Sequence, residues 1–303
     1  MNPIVSVVIP TYGRPDKIRR ALASVEQQTF NDIEIIVVDD NGAGRLQDET
    51  ESIVLGFSSQ HSITFLKHES NLGYAAARNT GIAHACGQFI AFLDDDDEWS
   101  ESKIDSQVRK LESASCLDAG FVYCRSINLM DDGTVYSAEA AGSGEEGEIY
   151  ESLLAGDVIG ASSKVLFRKC ALDKVGPLDE SLPTRADHDL FLRVAEKFSV
   201  CYVDEPLVNF YVGSPRITSN IEKKIAGWNR FIEKWHLVLE AYPKAKRSLC
   251  YRRAFELGRL LHIKGKWREA IKWHVRAIRC NPASWRNYVL LIASVFRIRL
   301  PIV

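Results

Sequence analysis

Five apolar residues run straight into four aspartates and a glutamate at Phe89–Trp99, FIAFLDDDDEW. Carboxylates crowded at the end of a buried segment repel one another. In a cleft of lowered dielectric that repulsion raises some of their pKa values unless a cation sits among them. The pattern predicts a positive partner that the sequence itself does not supply. Aspartate and glutamate oxygens are hard ligands, suited to Mg²⁺, Mn²⁺ or Ca²⁺. An EF-hand opening at Asp94 fails, because Trp99 stands where the loop needs glycine and Asp105 where it needs glutamate. An open site remains. Asp94 and Asp96 are two residues apart, so in extended backbone both side chains point to one side and share a cation or its bound ligand. With one or two protein carboxylates, Mg²⁺ or Mn²⁺ completes its shell with water and substrate phosphates, which implies a phosphate-bearing substrate. The same carboxylates also suit the N-terminus of a helix starting near Ser100, and that alternative stays open.

Such a site needs a scaffold that brings strand ends together. VSVVIP (5–10), IEIIVVDD (33–40), ITFLKH (63–68), QFIAFLD (88–94) and GFVYC (120–124) read as strands buried on both faces. Between them Pro15–Phe30 carries Ile18, Leu22 and Val25 on one helical face, with Pro15 near its first position. Ala75–Cys86 and Ser102–Cys116 also read as helices. The alternation predicts an α/β fold, a parallel sheet covered by helices. Ligands bind such sheets beyond the carboxyl ends of the strands. Three strands end in polar signatures, at Pro10-Thr11-Tyr12, at Asp39-Asp40-Asn41-Gly42 and at the Asp94 cluster, and one site can collect all three. After Cys124 the pattern loosens into a hairpin around Asp131-Asp132-Gly133 and a mobile Gly/Glu-rich loop over 140–148. SSKVLFRK (162–169), a helix from about Asp187 to Phe198, and the strands VCYVDE and LVNFYV follow.

From Asn220 onward everything reads helical, giving two regions, 1–219 and 220–303. Leu257-Gly258, Ala270, Ala277 and Pro282 match the small and terminal positions of one tetratricopeptide-like helix pair. One repeat cannot bury its own face, so it reads as a buttress packed on the rest of the chain or on another chain. Residues 220–303 carry 19 Lys and Arg against 5 Asp and Glu, a balance of +14, so the front of the chain carries −16 within the net −2. Trp267, Trp273, Trp285 and Tyr288 mix with this basic charge and with the apolar tail YVLLIASVFRIRLPIV, as in helices that lie on a membrane surface. Packing inside the helical pair is the equal alternative. No nucleic-acid reader motif accompanies the charge, which argues against nucleic acid as a partner.

Over 303 residues the composition, 46% apolar and 26% charged, is that of a soluble globular protein with ample core. Seven scattered cysteines without a C-x-x-C pair suggest neither a zinc site nor a disulfide framework and fit a reducing compartment. MNPIVSVVIP lacks a charged stretch before an apolar run, so no signal peptide is expected. The late apolar run Tyr288–Phe296 is far below the ~20 residues needed to span a bilayer. These features together predict a cytoplasmic protein, peripheral on the inner face of the membrane.

VSVVIPTYGR, IIVVDDNG, NLGYAAARNTGI, FIAFLDDDDEW, VGPLDES and RADHDLFLRV stand in the order of the inverting family 2 glycosyltransferases with the GT-A fold. The resemblance covers about residues 3–215. It implies a nucleoside-diphosphate sugar, by resemblance a UDP-sugar, held over the strand ends with Mn²⁺ or Mg²⁺ on its diphosphate, and a glycan or lipid-linked acceptor. By the same resemblance Pro10 and Tyr12 line the nucleoside pocket, Asp40 accepts a hydrogen bond from a uracil-like base, and Arg78 approaches the ribose or diphosphate. Asp94 and Asp95 resemble the ribose-facing and first acidic positions of the family's D-x-D element, and Asp96 its direct metal ligand, with a register ambiguous by one residue. Many members carry Glu-Asp where this chain has Ala186-Asp187, and Asp187 then resembles the general base. His188 reads as an acceptor-side contact or plain surface. Some members recruit a histidine to the metal after the last strand, where this chain has YVGSPRITS (211–219) without one. The competing readings are a glycoside hydrolase, a sugar-1-phosphate nucleotidyltransferase, which lacks its glycine-rich loop here, and a non-catalytic helical-repeat adaptor on a degenerate transferase body.

Overall fold

The structure is a computed structural model that describes residues 3–130, 132–138, 144–212 and 220–300. The chain divides into two compact units, one of Met1–Ile149, Ile159–Ser181 and Ala186–Pro215, the other of Tyr150–Val158, Leu182–Arg185 and Arg216–Val303. The boundary expected at 219/220 falls at the edge of residues 213–219, which lie outside the described residues, as do 131 and 139–143 of the expected hairpin and Gly/Glu-rich loop.

The first unit is built on β1 (Val5–Thr11), β2 (Ile33–Asp39), β3 (Ser62–Lys67), β4 (Phe89–Phe92), β5 (Asp97–Trp99), β6 (Ala119–Met130), β7 (Val135–Ala138), β8 (Val165–Arg168) and β9 (Ser199–Val212). Its order is β3-β2-β1-β4-β8-β6-β9-β5, with β7 on β6. β3, β2, β1 and β4 are mutually parallel, as expected from the alternation with helices α1 (Pro15–Glu26), α2 (Arg45–Leu55) and α3 (Tyr74–His84). The register Thr11↔Asp39 sets the tips of β1 and β2 level, while β4 ends opposite Val8, so the Asp94 turn follows beside the last residues of β1.

An all-parallel sheet is corrected beyond β4. There β8, reached through the short 3-10 turn Ser162–Lys164, enters antiparallel between β4 and β6, while β6 and β9 are parallel to each other. Burial on both faces is also corrected for β3, an edge strand with exposed Ser62, Thr64 and Lys67. VCYVDE and LVNFYV are one strand, β9. Its register jumps from Val203 to Pro206 opposite Cys124 and Arg125, a bulge that absorbs a proline unable to donate to the ladder. The strand expected over 120–124 runs on to Met130 and pairs with β7 as a hairpin around Gly133, which takes φ +84°.

The core joins Val5, Val7 and Ile9 of β1 to Ile18, Leu22 and Val25 of α1, and to Ile104, Val108 and Leu111 of α4 (Lys103–Glu112). On the opposite face α3 lies against β1 so closely that a Cβ at Gly81 would stand 2.2 Å from Val8 Cγ1. A disulfide joins Cys116 to Cys201, and this corrects the expectation of no disulfide. The two cysteines are 85 residues apart and meet only because β6 and β9 are neighbours. The unit is completed by α6 (Lys169–Val175) and α7 (Ala186–Ala195).

In the second unit α5 (Tyr150–Ala155) joins α8 (Ile221–Ala241), α9 (Pro243–Ile263), α10 (Trp267–Cys280) and α11 (Trp285–Val295). Leu257, Ala270 and Ala277 are fully buried, and a Cβ at Gly258 would come within 2.7 Å of His274, so the small residues let α9 and α10 approach as the repeat spacing predicts. Glu256 accepts from Lys224, Arg185 and Trp228 Nε1, a half-buried carboxylate held by two cations. Among the described residues no helix is long and apolar enough to cross a membrane.

Candidate active site

The acidic run does not stay in strand geometry. Leu93 is the last residue bonded alongside β1, and the amide of Asp97 then donates to the carbonyl of Asp94 at 3.0 Å, closing a turn before β5. The turn replaces the extended backbone expected for Asp94 and Asp96: Asp94 meets Arg78 and Asp96 meets Arg14. Capping of a helix near Ser100 is corrected too, since α4 starts at Lys103 and has no side-chain cap.

The positive partners are in the chain. Arg14 follows the tip of β1 and bridges the carboxylates of Asp95 and Asp96. Asp95 is fully buried and also accepts from Thr11 Oγ1 at 2.7 Å. Burial pushes its carboxyl up to about 7, against the pull of Arg14 and the Thr11 hydroxyl, with Asp96 and Asp94 adding to the rise. Asp97 accepts from Ser163 Oγ at 2.6 Å, and the same hydroxyl accepts from the amide of Asp94, fixing the turn. Arg20 donates to the carbonyl of Asp96 at 2.9 Å.

Arg78, 3% exposed, lies on α3 and bridges two acids from distant parts of the chain. Its Nη2 donates to Asp94 Oδ1 at 2.5 Å and its Nη1 to Asp187 Oδ1 at 2.6 Å. Burial alone would lower the Arg78 pKa, but Asp187 and Asp94 outweigh it and hold the guanidinium charged. The Asp94 and Asp187 side chains remain 32% and 26% exposed, so the bridged pair opens to solvent. Tyr74, one turn before Arg78, accepts from the amide of Ala186 at 2.8 Å and so ties the start of α7 to α3. Burial, with Asp187 adding, raises its phenol pKa. Asn79 holds Leu178 N and O in the VGPLDES segment, and buried Asp189 pairs with Arg193, whose guanidinium grips the carbonyls of Val175, Gly176 and Pro177. His188 is buried, which corrects a plain surface position.

Asp40 sits at the tip of β2, its amide donating to Thr11 O. Its carboxylate receives four bonds: His68 Nδ1 and the amide of Leu72 on Oδ1, Asn71 Nδ2 and the amide of Gly73 on Oδ2. It is therefore committed to the loop that launches α3. Tyr12 is 54% exposed beside it, and Pro10 is half-buried. The structure thus gathers Asp94, Asp95, Asp96, Arg78 and Asp187 at one edge, while Asp40 is bonded into the loop before α3. Arg14, Tyr74 and Ser163 are the members that sequence reasoning missed. Arg14 had a signal, a cation at the tip of a strand whose neighbour ends in carboxylates.

The sequence profile of Glycosyl transferase family 2 matches residues 6–160. The chain belongs to this family. The amylovoran biosynthesis glycosyltransferase AmsB of Erwinia amylovora is 31% identical over 214 residues, spanning 68% of this chain and 69% of AmsB. S. aureus TarS 1–349, solved with UDP-GlcNAc, superposes with a TM-score of 0.67 at 18% identity over 97% of this chain and 88% of TarS. The mannosyltransferase PcManGT of Pyrobaculum calidifontis, solved with GDP-Man and Mn²⁺, gives 0.61 at 17% identity over 98% of this chain and 80% of that one. The GT-A fold and the glycosyltransferase class of enzyme follow, and the hydrolase and nucleotidyltransferase readings fall. The transferase has an all-oxygen donor set at its strand ends. Arg14 and Arg78 bridge four carboxyl groups between them, so the strand ends hold more acidic oxygens than facing guanidinium groups. The set therefore fits Mg²⁺ or Mn²⁺. Among the described residues no group of three or more ligating side chains converges, so such an ion must draw further oxygens from substrate and water.

Proposed function

We propose that the transferase moves a sugar from a UDP-sugar to an acceptor hydroxyl with inversion at the anomeric carbon, in the assembly of a cell-surface polysaccharide or glycolipid. The observation that carries the reading is the Arg78 bridge between Asp94, at the end of β4, and Asp187, on α7. It brings an acid suited to the donor side and an acid suited to the acceptor side within reach of one fixed guanidinium.

Asp187 is assigned as general base. It takes the acceptor proton as that oxygen bonds to the anomeric carbon, while the sugar–phosphate bond breaks and its electron pair leaves on the diphosphate. Opposite-face attack inverts the centre, and no covalent nucleophile is required. Arg78 orients Asp187 and supplies permanent charge beside the leaving group. Tyr12 and Pro10 are assigned to the nucleoside, Asp94 and Asp95 to the ribose side, and Asp96 with Asp94 to Mn²⁺ or Mg²⁺. A divalent ion there, when bound, acts as a Lewis acid on the diphosphate. Asp40 is assigned to shaping the nucleoside edge through its loop, in place of direct base reading, since its four acceptor positions are filled. Catalysis is assigned to residues 1–219 and support to 220–303, with a glycan or lipid-linked acceptor at the inner membrane face.

The test is a donor screen with UDP-, GDP- and dTDP-sugars, scoring nucleotide release with Mn²⁺ and with EDTA. The expected result is release from a UDP-sugar that EDTA abolishes, and loss of metal-dependent donor binding in Asp96→Ala. Equal release with EDTA removes the metal, and silence across the whole screen favours the adaptor.

A further inference from the structure

Helix α11 is inside out. Its buried side carries Asn287, Ala293 and Ser294, and Ser294 Oγ lies 2.8 Å from Nδ1 of buried His262. Its outward side carries Trp285, Tyr288, Ile292, Val295 and Phe296, at 66%, 41%, 56%, 54% and 71% exposure. These positions recur every three or four residues, so they form one stripe along the helix and continue into exposed Ile298. Scattered exposed apolar residues are ordinary, but a helix that hides amide and hydroxyl groups while presenting tryptophan, isoleucine and phenylalanine in register marks a surface that something covers.

Charge narrows the occupant. Residues 264–300 hold nine Lys and Arg against one Glu, and Lys272, Arg276 and Arg279 are exposed on α10. Arg286 lies over the ring of Trp285, and exposed Arg297 and Arg299 follow the last turn of the helix. Two copies of this surface facing each other would oppose like charges. An apolar interior beneath anionic headgroups satisfies both features at once, and Trp285 and Tyr288 have the half-apolar, half-polar rings suited to the boundary between them.

We propose that the outward face of α11 inserts into the headgroup layer of an anionic lipid bilayer, with the flanking arginines and lysines on the lipid phosphates. This deepens the membrane-face assignment made above and rests on that part of it alone. The test uses the full chain and vesicles of phosphatidylcholine with or without about 30% phosphatidylglycerol. The chain is expected to sediment with the anionic vesicles only, to lose about tenfold in partitioning between low and high salt, and to show quenching by brominated lipid that Trp285→Phe reduces. Ile292→Glu with Phe296→Glu is expected to cut partitioning at least about tenfold with an unchanged circular dichroism spectrum and melting temperature. Arg297→Gln with Arg299→Gln weakens it without abolishing it. Absence of binding to anionic vesicles, or full binding by the Ile292→Glu, Phe296→Glu variant, overturns the proposal. So does a dimer in sedimentation velocity that this variant dissolves, since a second copy would then cover the stripe. Calorimetric binding of UDP without lipid reads the donor site separately, so the transferase reading stands or falls on its own.

Discussion

Asp187 meets Arg78 at 2.6 Å across 109 residues of sequence, and the same guanidinium holds Asp94 with its other nitrogen. An amide at 187 keeps an oxygen for Arg78 but cannot take a proton. Asp187→Asn should therefore leave UDP binding within about twofold while transfer falls by about 10²–10⁴. Calorimetry beside a transfer assay separates the two, and near-normal transfer would remove Asp187 from the role of base.

Arg14 neutralises a carboxylate that has no access to water. Arg14→Ala removes the donor that Asp95 and Asp96 share, Asp95 then takes up a proton, and unfolding in urea at neutral pH should show a loss of about 1–3 kcal/mol, mostly from the lost charge-assisted hydrogen bonds. Adding Asp95→Asn to that variant should restore part of the loss, because an amide needs no counter-charge. A single-variant loss under about 1 kcal/mol would mean that Arg14 is not the group balancing the turn.

For Asp40 the geometry distinguishes a clamp from a base reader. Asp40→Asn turns an NH₂ toward two of the four donors now satisfied by the carboxylate, at a cost of about 2–4 kcal/mol. Hydrogen exchange at the Leu72 and Gly73 amides should accelerate with or without nucleotide. Unchanged stability together with an altered preference among nucleoside diphosphates would return Asp40 to the base.

Buried His274 has no hydrogen-bond partner on either ring nitrogen among the described residues, and burial, with His262 adding, lowers its pKa to about 4. Between that value and the ordinary 6.5 the unfolded chain binds a proton that the folded chain does not. Stability is then full above about pH 6.5 and declines as the pH falls toward 4, by about 2 kcal/mol at pH 5. Denaturant midpoints at pH 7.5 and pH 5, compared with His274→Asn, check the sign, since the variant should lack this component of the pH dependence.

Much of the fold was legible because buried parallel strands need unbroken apolar runs, and β1, β2 and β4 have them. Helix α2 escaped notice because its buried residues are Gln47, Thr50 and Val54, which give no apolar stripe. The antiparallel entry of β8 and the continuity of β9 through Pro206 left no periodic signal either. Both depend on which strand lies next door. For α11 the apolar and basic content was visible in sequence, but packing inside the pair and exposure outside it looked alike until Asn287 and Ser294 proved to face inward.

The amino-acid order by itself determined the element types along the strand–helix alternation, the family and the placement of acids at strand tips, because these depend on local pattern. It did not determine what balances those acids. Arg14 reaches Asp95 and Asp96, and Arg78 reaches Asp94 and Asp187, only once the order β2-β1-β4 and the docking of α7 on α3 are fixed. Coulomb energy depends on distance in space and on burial, and neither is set by separation along the chain.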